Sequence, residues 1–428
     1  MKMLNYETDR AAINKIIEQR RDFYIDEEVK QTVSEIVSRV KEQGDRALHE
    51  YTARFDGVKL EDFRVSQKEL TRAQNRVGDS FIRSLRLSIK NVRQFHEKQL
   101  VNSWFDSSRE RMVGQQVTPL QRIGAYVPGG TAAYPSSLVM AVVPARAAGV
   151  EEVVVTTPPD EEGGVNPYIL AAAAEAGVDE IYKAGGAQAV AALAFGTELI
   201  KPVDKIVGPG NIYVTAAKKM VYGTVDIDML AGPSELLVLA DDSGNPDYIA
   251  ADLLSQAEHD TRAAVVLVTT SRDLARDVQK LLKEQLAELS RREIAVESLE
   301  KYGFIITVDD LRTGIKVVND FAPEHFELVV REPFASLGLI KNAGAIFVGS
   351  NTSEPLGDYI AGPNHVLPTG GTARFSSPLN TGDFLKRSSV IYYGEESIQR
   401  EGEDVERLAR LEGLDAHARA VAIRRKSN

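Results

Sequence analysis

Cysteine is absent from this chain. That removes disulfides, thiolate zinc sites and thiol nucleophiles together. A metal would have to be held by histidine, carboxylate or amide oxygen, and an aldehyde would have to be oxidised without a thioester. Histidine is scarce, with six in 428 residues: His49, His96, His259, His325, His365 and His417. Positive charge is not in excess. Lys and Arg number 51 against 62 Asp and Glu, for a net charge of −11, which argues against a nucleic-acid surface. No apolar run is long enough to span a bilayer. The opening residues MKMLNYETDRAA carry no apolar h-region, so no signal peptide is expected. The dinucleotide fingerprint G-x-G-x-x-G is missing as well. What is left is a hydrophobic share of 43%, ordinary for a globular cytoplasmic enzyme of roughly two to three domains.

What is present is a change of texture along the chain. Residues 26–43 keep helical spacing through Val29, Val33, Ile36, Val37 and Val40, with Asp26 to cap the start and Gly44 to end the run. Ser66 and Glu69 form a capping-box pattern ahead of a second long helix with the stripe Ile82, Leu85, Ile89 and Val92. His49 and His96 fall in these helical stretches and read as structural or solvated. From residue 120 strands and helices alternate. Expected strands are Ile123–Val127, Glu152–Thr157, Glu180–Lys183 and Lys205–Val207, with helices at Ser136–Ala148, Pro167–Ala176, Ala189–Phe195 and Ile212–Tyr222. A second set of strands covers Glu235–Ala240, Ala263–Thr269, Phe304–Val308, Glu327–Val330 and Ala345–Val348. This rhythm predicts an α/β protein with mostly parallel, doubly wound sheets. Val153–Thr157 and Val265–Thr270 share an ending after a similar helix, which suggests duplicated units. Residues 379–428 are polar and helical in pattern, too few and too polar for a core of their own. They are expected to wrap another part of the protein or another subunit.

Chemistry gathers in four places. Phe321-Ala322-Pro323-Glu324-His325 puts an acid and an imidazole on a loop before an apolar strand. On a loop the two can serve different steps, Glu324 activating water and His325 taking a proton from an alcohol; a buried ion pair is the structural alternative. Asn245-Pro246 marks a helix start, and Ile249, Leu253 and Gln256 then share its core-facing line. Gln256 is costly there without a partner, and His259 follows three residues on. Both fit either a hydrogen-bonded helix end or a metal site, in which Glu258 could replace Gln256. Asp358 and His365 lie in Gly349–Pro378, a loop of about thirty residues, and loops that long in compact domains are usually functional or disordered. Three glycine turns, Pro128-Gly129-Gly130-Thr131, Ala184-Gly185-Gly186-Ala187-Gln188 and Gly208-Pro209-Gly210-Asn211, each follow a strand and lead into a helix. Such turns can face backbone amides toward a nucleotide phosphate. A zinc hydrolase with Glu324 as water-activating base, or a non-catalytic dimer stapled by zinc, would leave these turns without a task.

Seven ordered segments resemble histidinol dehydrogenases: Tyr126–Gly130, Val207–Asn211, Ala231–Glu235, Ser255–His259, Ala322–His325, Gly362–His365 and Glu412–His417. The resemblance implies zinc, one per subunit, held by Gln256, His259, Asp358 and His417, and Glu324 with His325 as the acid/base pair. It implies substrate contacts from Ser234, Gln256, His259, His325, Asp358, His365, Glu412 and His417, and a nicotinamide cofactor, NAD⁺, near Tyr126, Gln188 and Asn211. It further implies oxidation of L-histidinol to L-histidine with two NAD⁺ reduced. The protein would be a homodimer whose C-terminal tail crosses to the partner, with no nucleic-acid or membrane partner. The fold expected is two incomplete Rossmann-like domains with an N-terminal helical segment and a C-terminal helical tail. The division expected is 1–21 as an N-terminal segment, 22–125 with 235–377 as the domain of the zinc site and catalytic pair, 126–234 as the nucleotide domain and 378–428 as the dimerisation tail.

Overall fold

Parallel strands covered by helices on both faces read as continuous apolar runs, and the strand segments of this chain have that character. The computed structural model describes residues 1–21, 25–108, 110–129 and 133–426; Gly130 and Thr131 of the first glycine turn lie outside them. The described strands are, in chain order, β1 (Lys2–Asn5), β2 (Trp104–Ser108), β3 (Arg111–Pro119), β4 (Arg122–Tyr126), β5 (Glu152–Thr157), β6 (Glu180–Lys183), β7 (Lys205–Val207), β8 (Asp226–Ile227), β9 (Glu235–Ala240), β10 (Ala264–Thr269), β11 (Gly303–Thr307), β12 (His325–Val329), β13 (Ala345–Val348) and β14 (Leu385–Tyr393). They form a five-stranded sheet in the order β6-β5-β4-β7-β8 and a six-stranded sheet in the order β1-β11-β10-β9-β12-β13. All their pairings are parallel. With β1 left aside at the edge of the six-stranded sheet, β4–β8 and β9–β13 each run 3-2-1-4-5 counted within their own sheet, the doubly wound pattern. The strands of the two similar segments, β5 and β10, occupy the same second place in that order.

The helices of the first quarter differ from the expected grouping. Ile25, Val33, Ile36, Val40, Leu48 and Tyr51 pack with Val154, Tyr182 and Val190 of the five-stranded unit, and Leu85, Ile89 and Val92 pack with Ile123, Leu138 and Val153 of the same unit. Residues 25–97 therefore cover the five-stranded sheet rather than the six-stranded one. Apolar stripes dictate burial but not which sheet receives them, so their spacing could not decide this. The capping box is real but caps a short helix, Gln67–Gln74. Gly78 then starts the long helix Asp79–Glu97, whose buried face includes Leu85, Ile89 and Val92. His96 is fully buried there, with Nδ1 2.8 Å from the Val92 carbonyl.

Both chain ends add strand to what reads as helix. β1 pairs with β11 at the edge of the six-stranded sheet, and the following helix, Arg10–Arg21, buries Ile13 and Ile17 against Leu237 and Phe326. β14 pairs antiparallel with β3, and β2 completes this third, small sheet. Beyond it, helices Glu395–Leu411 and Asp415–Lys426 are joined by Arg425 to Glu406 at 2.7 Å. Ile391, Leu408, Leu411 and Ile423 remain exposed in this tail. No described helix is long and apolar enough to cross a membrane.

Candidate active site

The acid/base pair is placed by a tight helix exit. Helix Leu311–Phe321 ends at Ala322, a non-glycine residue with φ 52° whose N–H donates to the Val318 carbonyl. Left-handed backbone at a residue with a Cβ is strained, and here Ala322 is fully buried. Pro323 follows, and Glu324 stands immediately before β12. His325 is the first residue of that strand, not a loop residue as expected. The pair nevertheless meets, because both side chains turn to the main chain of one residue, Glu235, on the neighbouring strand. Glu324 Oε2 accepts the N–H of Glu235 at 2.9 Å, and His325 Nδ1 lies 3.0 Å from the Glu235 carbonyl oxygen. A carbonyl only accepts, so Nδ1 carries the proton and Nε2 keeps its lone pair. That Nε2 is buried without a hydrogen bond, 3.8 Å from Glu354 Oε1 and 3.9 Å from Asp358 Oδ1.

Burial sets the protonation of both groups. It lowers His325 to about 4, against the nearby Asp358 charge, so the ring is neutral. It raises Glu324 well above the usual carboxylate range; the Glu235 N–H works against this, and the Glu235 and Asp358 charges add to it. A carboxylate so placed is a strong base once ionised.

Gln256 sits in the last turn of helix Pro246–Ala257, capped by the Asn245 side chain, and is fully buried. Neither end of its amide has a hydrogen-bond partner. An amide buried with no partner is costly, and its position suits a group waiting for a ligand. His259 follows beyond the helix end, near Asp358, Glu258, Arg291 and His365. The long loop expected at Gly349–Pro378 contains a short helix, Glu354–Tyr359, which carries Asp358. His325, Asp358 and His365 line one cavity of about 640 Å³ with Phe347 and Asn380. Glu354 was not anticipated. It is buried, its N–H donates to Glu327 Oε1 at 3.0 Å, and with His325 and Asp358 it forms a set whose ligand atoms lie within 4.8 Å of one another. Burial and then the Asp358 charge push it to about 9. Its signal was the four-residue spacing to Asp358, which places both on one helix face. Within one chain Glu412 and His417 do not join this group: both are exposed on the tail, and the His417 ring meets no hydrogen-bond or ion-pair partner among the described residues.

Tyr126 ends β4 and Gly208–Asn211 follows β7, adjacent strands where the order of the five-stranded sheet reverses. Open α/β sheets bind ligands at that crevice. Tyr126 is buried, and its hydroxyl accepts the Gly186 N–H at 3.1 Å, so that amide is already engaged. Asn211 caps the next helix, its side-chain oxygen accepting the Tyr213 and Val214 N–H groups at 3.1 Å, which leaves its amide hydrogens free. Gln188 is buried. The glycines answer first to packing: a Cβ at Gly208 would stand 2.2 Å from the Tyr126 carbonyl oxygen, and one at Gly185 2.6 Å from the Pro158 side chain. Ser234, half-buried, precedes β9 and so adjoins Glu235.

Comparison with known proteins bears on the whole chain. The histidinol dehydrogenase family model matches residues 19–425. A histidinol dehydrogenase of Bacillus cereus is 53% identical over 421 residues, covering 98% of both chains. One from Clostridium acetobutylicum is 54% identical over 400 residues, covering 93% of both. The crystal structure of histidinol dehydrogenase from Elizabethkingia anophelis superposes with a TM-score of 0.94 at 38% identity, covering 100% of this chain and 98% of that one. Agreement that runs almost from end to end, in sequence and in backbone alike, places this chain in the histidinol dehydrogenase family of NAD-dependent oxidoreductases.

Proposed function

We propose that the chain oxidises L-histidinol to L-histidine through a bound aldehyde and its hydrate, reducing two NAD⁺, as the last two steps of histidine biosynthesis in the cytoplasm. The observation that carries the reading is the shared anchoring of Glu324 and His325 on the main chain of Glu235, which leaves His325 Nε2 free beside the cavity. In the first oxidation Nε2 takes the alcohol proton while the hydride leaves the carbinol carbon for NAD⁺. In the second the aldehyde must add water, because hydride can leave only from a tetrahedral centre. Glu324 takes the proton from that water, and Nε2 takes the proton of the hydrate hydroxyl. With no cysteine in the chain, no thioester competes with this route.

Gln256, His259 and Asp358, with His417 from a second copy of the chain, would hold zinc. The unpartnered Gln256 amide and the nitrogen and oxygen donors suit that ion. Zinc there would supply a Lewis-acid centre for the substrate's amine and imidazole and so orient its carbinol carbon. Ser234, His365 and Glu412 would complete the substrate contacts, and Tyr126, Gln188 and Asn211 those of NAD⁺. Glu412 and His417 reach a site only if the tail crosses to a partner, and the exposed Leu408 and Leu411 support such a homodimer. The test is product stoichiometry with zinc-loaded protein, histidinol and excess NAD⁺. Two NADH per histidine, with Glu324→Gln stalling at or before the aldehyde, is the expected result. No NADH from the wild type would refute the reading.

A further inference from the structure

Glu235 is a carboxylate with no exposure, on the first residue of the central strand β9. Its main chain holds both members of the acid/base pair, as described above. Its side chain is held in turn from the N-terminal segment. Arg20, in the last turn of helix Arg10–Arg21, donates from Nε at 3.0 Å and from Nη2 at 2.8 Å to Glu235 Oε1. The Gly370 N–H reaches the same oxygen at 3.2 Å. Glu235 Oε2 has no hydrogen-bond partner. The Arg20 side chain is itself only 12% exposed. A buried ion pair is a poor source of stability compared with apolar packing, so its presence here calls for a positional reason. That reason lies on the main chain of the same residue, in the two hydrogen bonds that aim Glu324 and His325.

We infer that Arg20 is a positioning residue for both oxidation steps: paired with Glu235, it fixes the residue from whose main chain Glu324 and His325 take their orientation. The inference rests on the reading of the acid/base pair given under Proposed function. Without the guanidinium, the buried carboxylate keeps only the Gly370 N–H and turns toward other donors. That turn moves the start of β9 and with it both hydrogen bonds. A displacement of about 1 Å at such a site can cost on the order of a hundredfold in rate.

The test uses zinc-loaded, full-length protein with NAD⁺, assayed with histidinol and separately with the aldehyde. Arg20→Met, Arg20→Lys and the double variant Arg20→Met/Glu235→Gln are compared with wild type for rate, KM, zinc content and melting temperature. Arg20→Met is expected to lower kcat for both substrates by about tenfold or more while the KM for NAD⁺ stays within about twofold. Arg20→Lys recovers part of the loss, and in a further variant, Arg20→Ala, which leaves room for it, added guanidinium restores rate. The double variant, neutral at both positions, is expected to fold with native melting and zinc content yet remain slow, because the anchor is gone. Should it be as fast as wild type, or should a folded, zinc-bearing Arg20→Met keep its kcat, the pair is structural only and the inference fails. An inactive wild type would instead remove the functional reading and this inference with it, so the two failures are distinct.

Discussion

The turn proposed to face the cofactor is held by a second buried ion pair, and removing its cation should be felt in both stability and NAD⁺ binding. Lys218 Nζ meets the Asp228 carboxylate and donates to the Gly208 carbonyl at 3.0 Å; the two side chains are 4% and 1% exposed. Asp228 in turn accepts the Gly208 N–H at 2.7 Å and the Met229 N–H at 2.6 Å. The pair therefore grips both polar groups of Gly208. Lys218→Met leaves a buried carboxylate uncompensated, which costs about 3–5 kcal/mol in comparable sites. The two remaining N–H donors put the expected loss at the lower end, about 3 kcal/mol, or roughly 6–12 °C in melting temperature for a domain of this size. The freed turn should raise the KM for NAD⁺ about tenfold and leave kcat little changed, as expected when uniform binding is lost. Thermal melting and initial rates over a range of NAD⁺ measure both. If the variant melts within about 2 °C of wild type, less than a 1 kcal/mol change would give, and binds NAD⁺ as tightly, the clamp is not what holds the turn.

Three further outcomes are expected. Gln256→Leu should leave the metal-free protein as stable as wild type, within about 1 kcal/mol, since its amide has no partner to lose. The same variant should lose the rise in melting temperature that added zinc gives wild type. His96, which burial holds below its usual pKa, resists a proton that the unfolded chain accepts below about pH 6.5. Stability should therefore fall as pH drops through that value, and His96→Gln should show a shallower decline in denaturant midpoints between pH 7 and pH 5. Co-expression of a Glu324→Gln chain with a His417→Ala chain should yield more activity than either alone, because one mixed site carries both native residues. A mixture as inactive as its parents would refute the crossed tail.

The strands were legible because parallel sheets covered on both faces demand near-unbroken apolar runs. Glu152–Thr157, Glu180–Lys183, Lys205–Val207, Glu235–Ala240 and Ala345–Val348 match the expected bounds residue for residue. β1 and β14 were not legible. Both lie at sheet margins where one side is solvent, and Leu385–Tyr393 alternates too weakly between buried and exposed to show a strand. In the site, Gln256 announced itself as a polar residue on an apolar line. Glu354, Glu235 and Arg20 did not, because a buried carboxylate is recognised by what lies across from it in space. Arg20 and Glu235 are 215 residues apart, beyond the reach of any spacing rule.

That separation has a counterpart in time. β1 leaves the ribosome some three hundred residues ahead of its partner strand: Lys2 pairs with Phe304, and Arg20 with Glu235. At about 5–20 residues per second, β1 waits roughly 15–60 s for β11 to be synthesised. The five-stranded sheet and its helices can be complete well before that. Until then β1 has no strand to pair with, and Arg20 waits for Glu235 to be made. Proteases and chaperones would meet the segment Lys2–Arg21 open through that interval, and Glu324 and His325 would gain their support only after most of these residues exist.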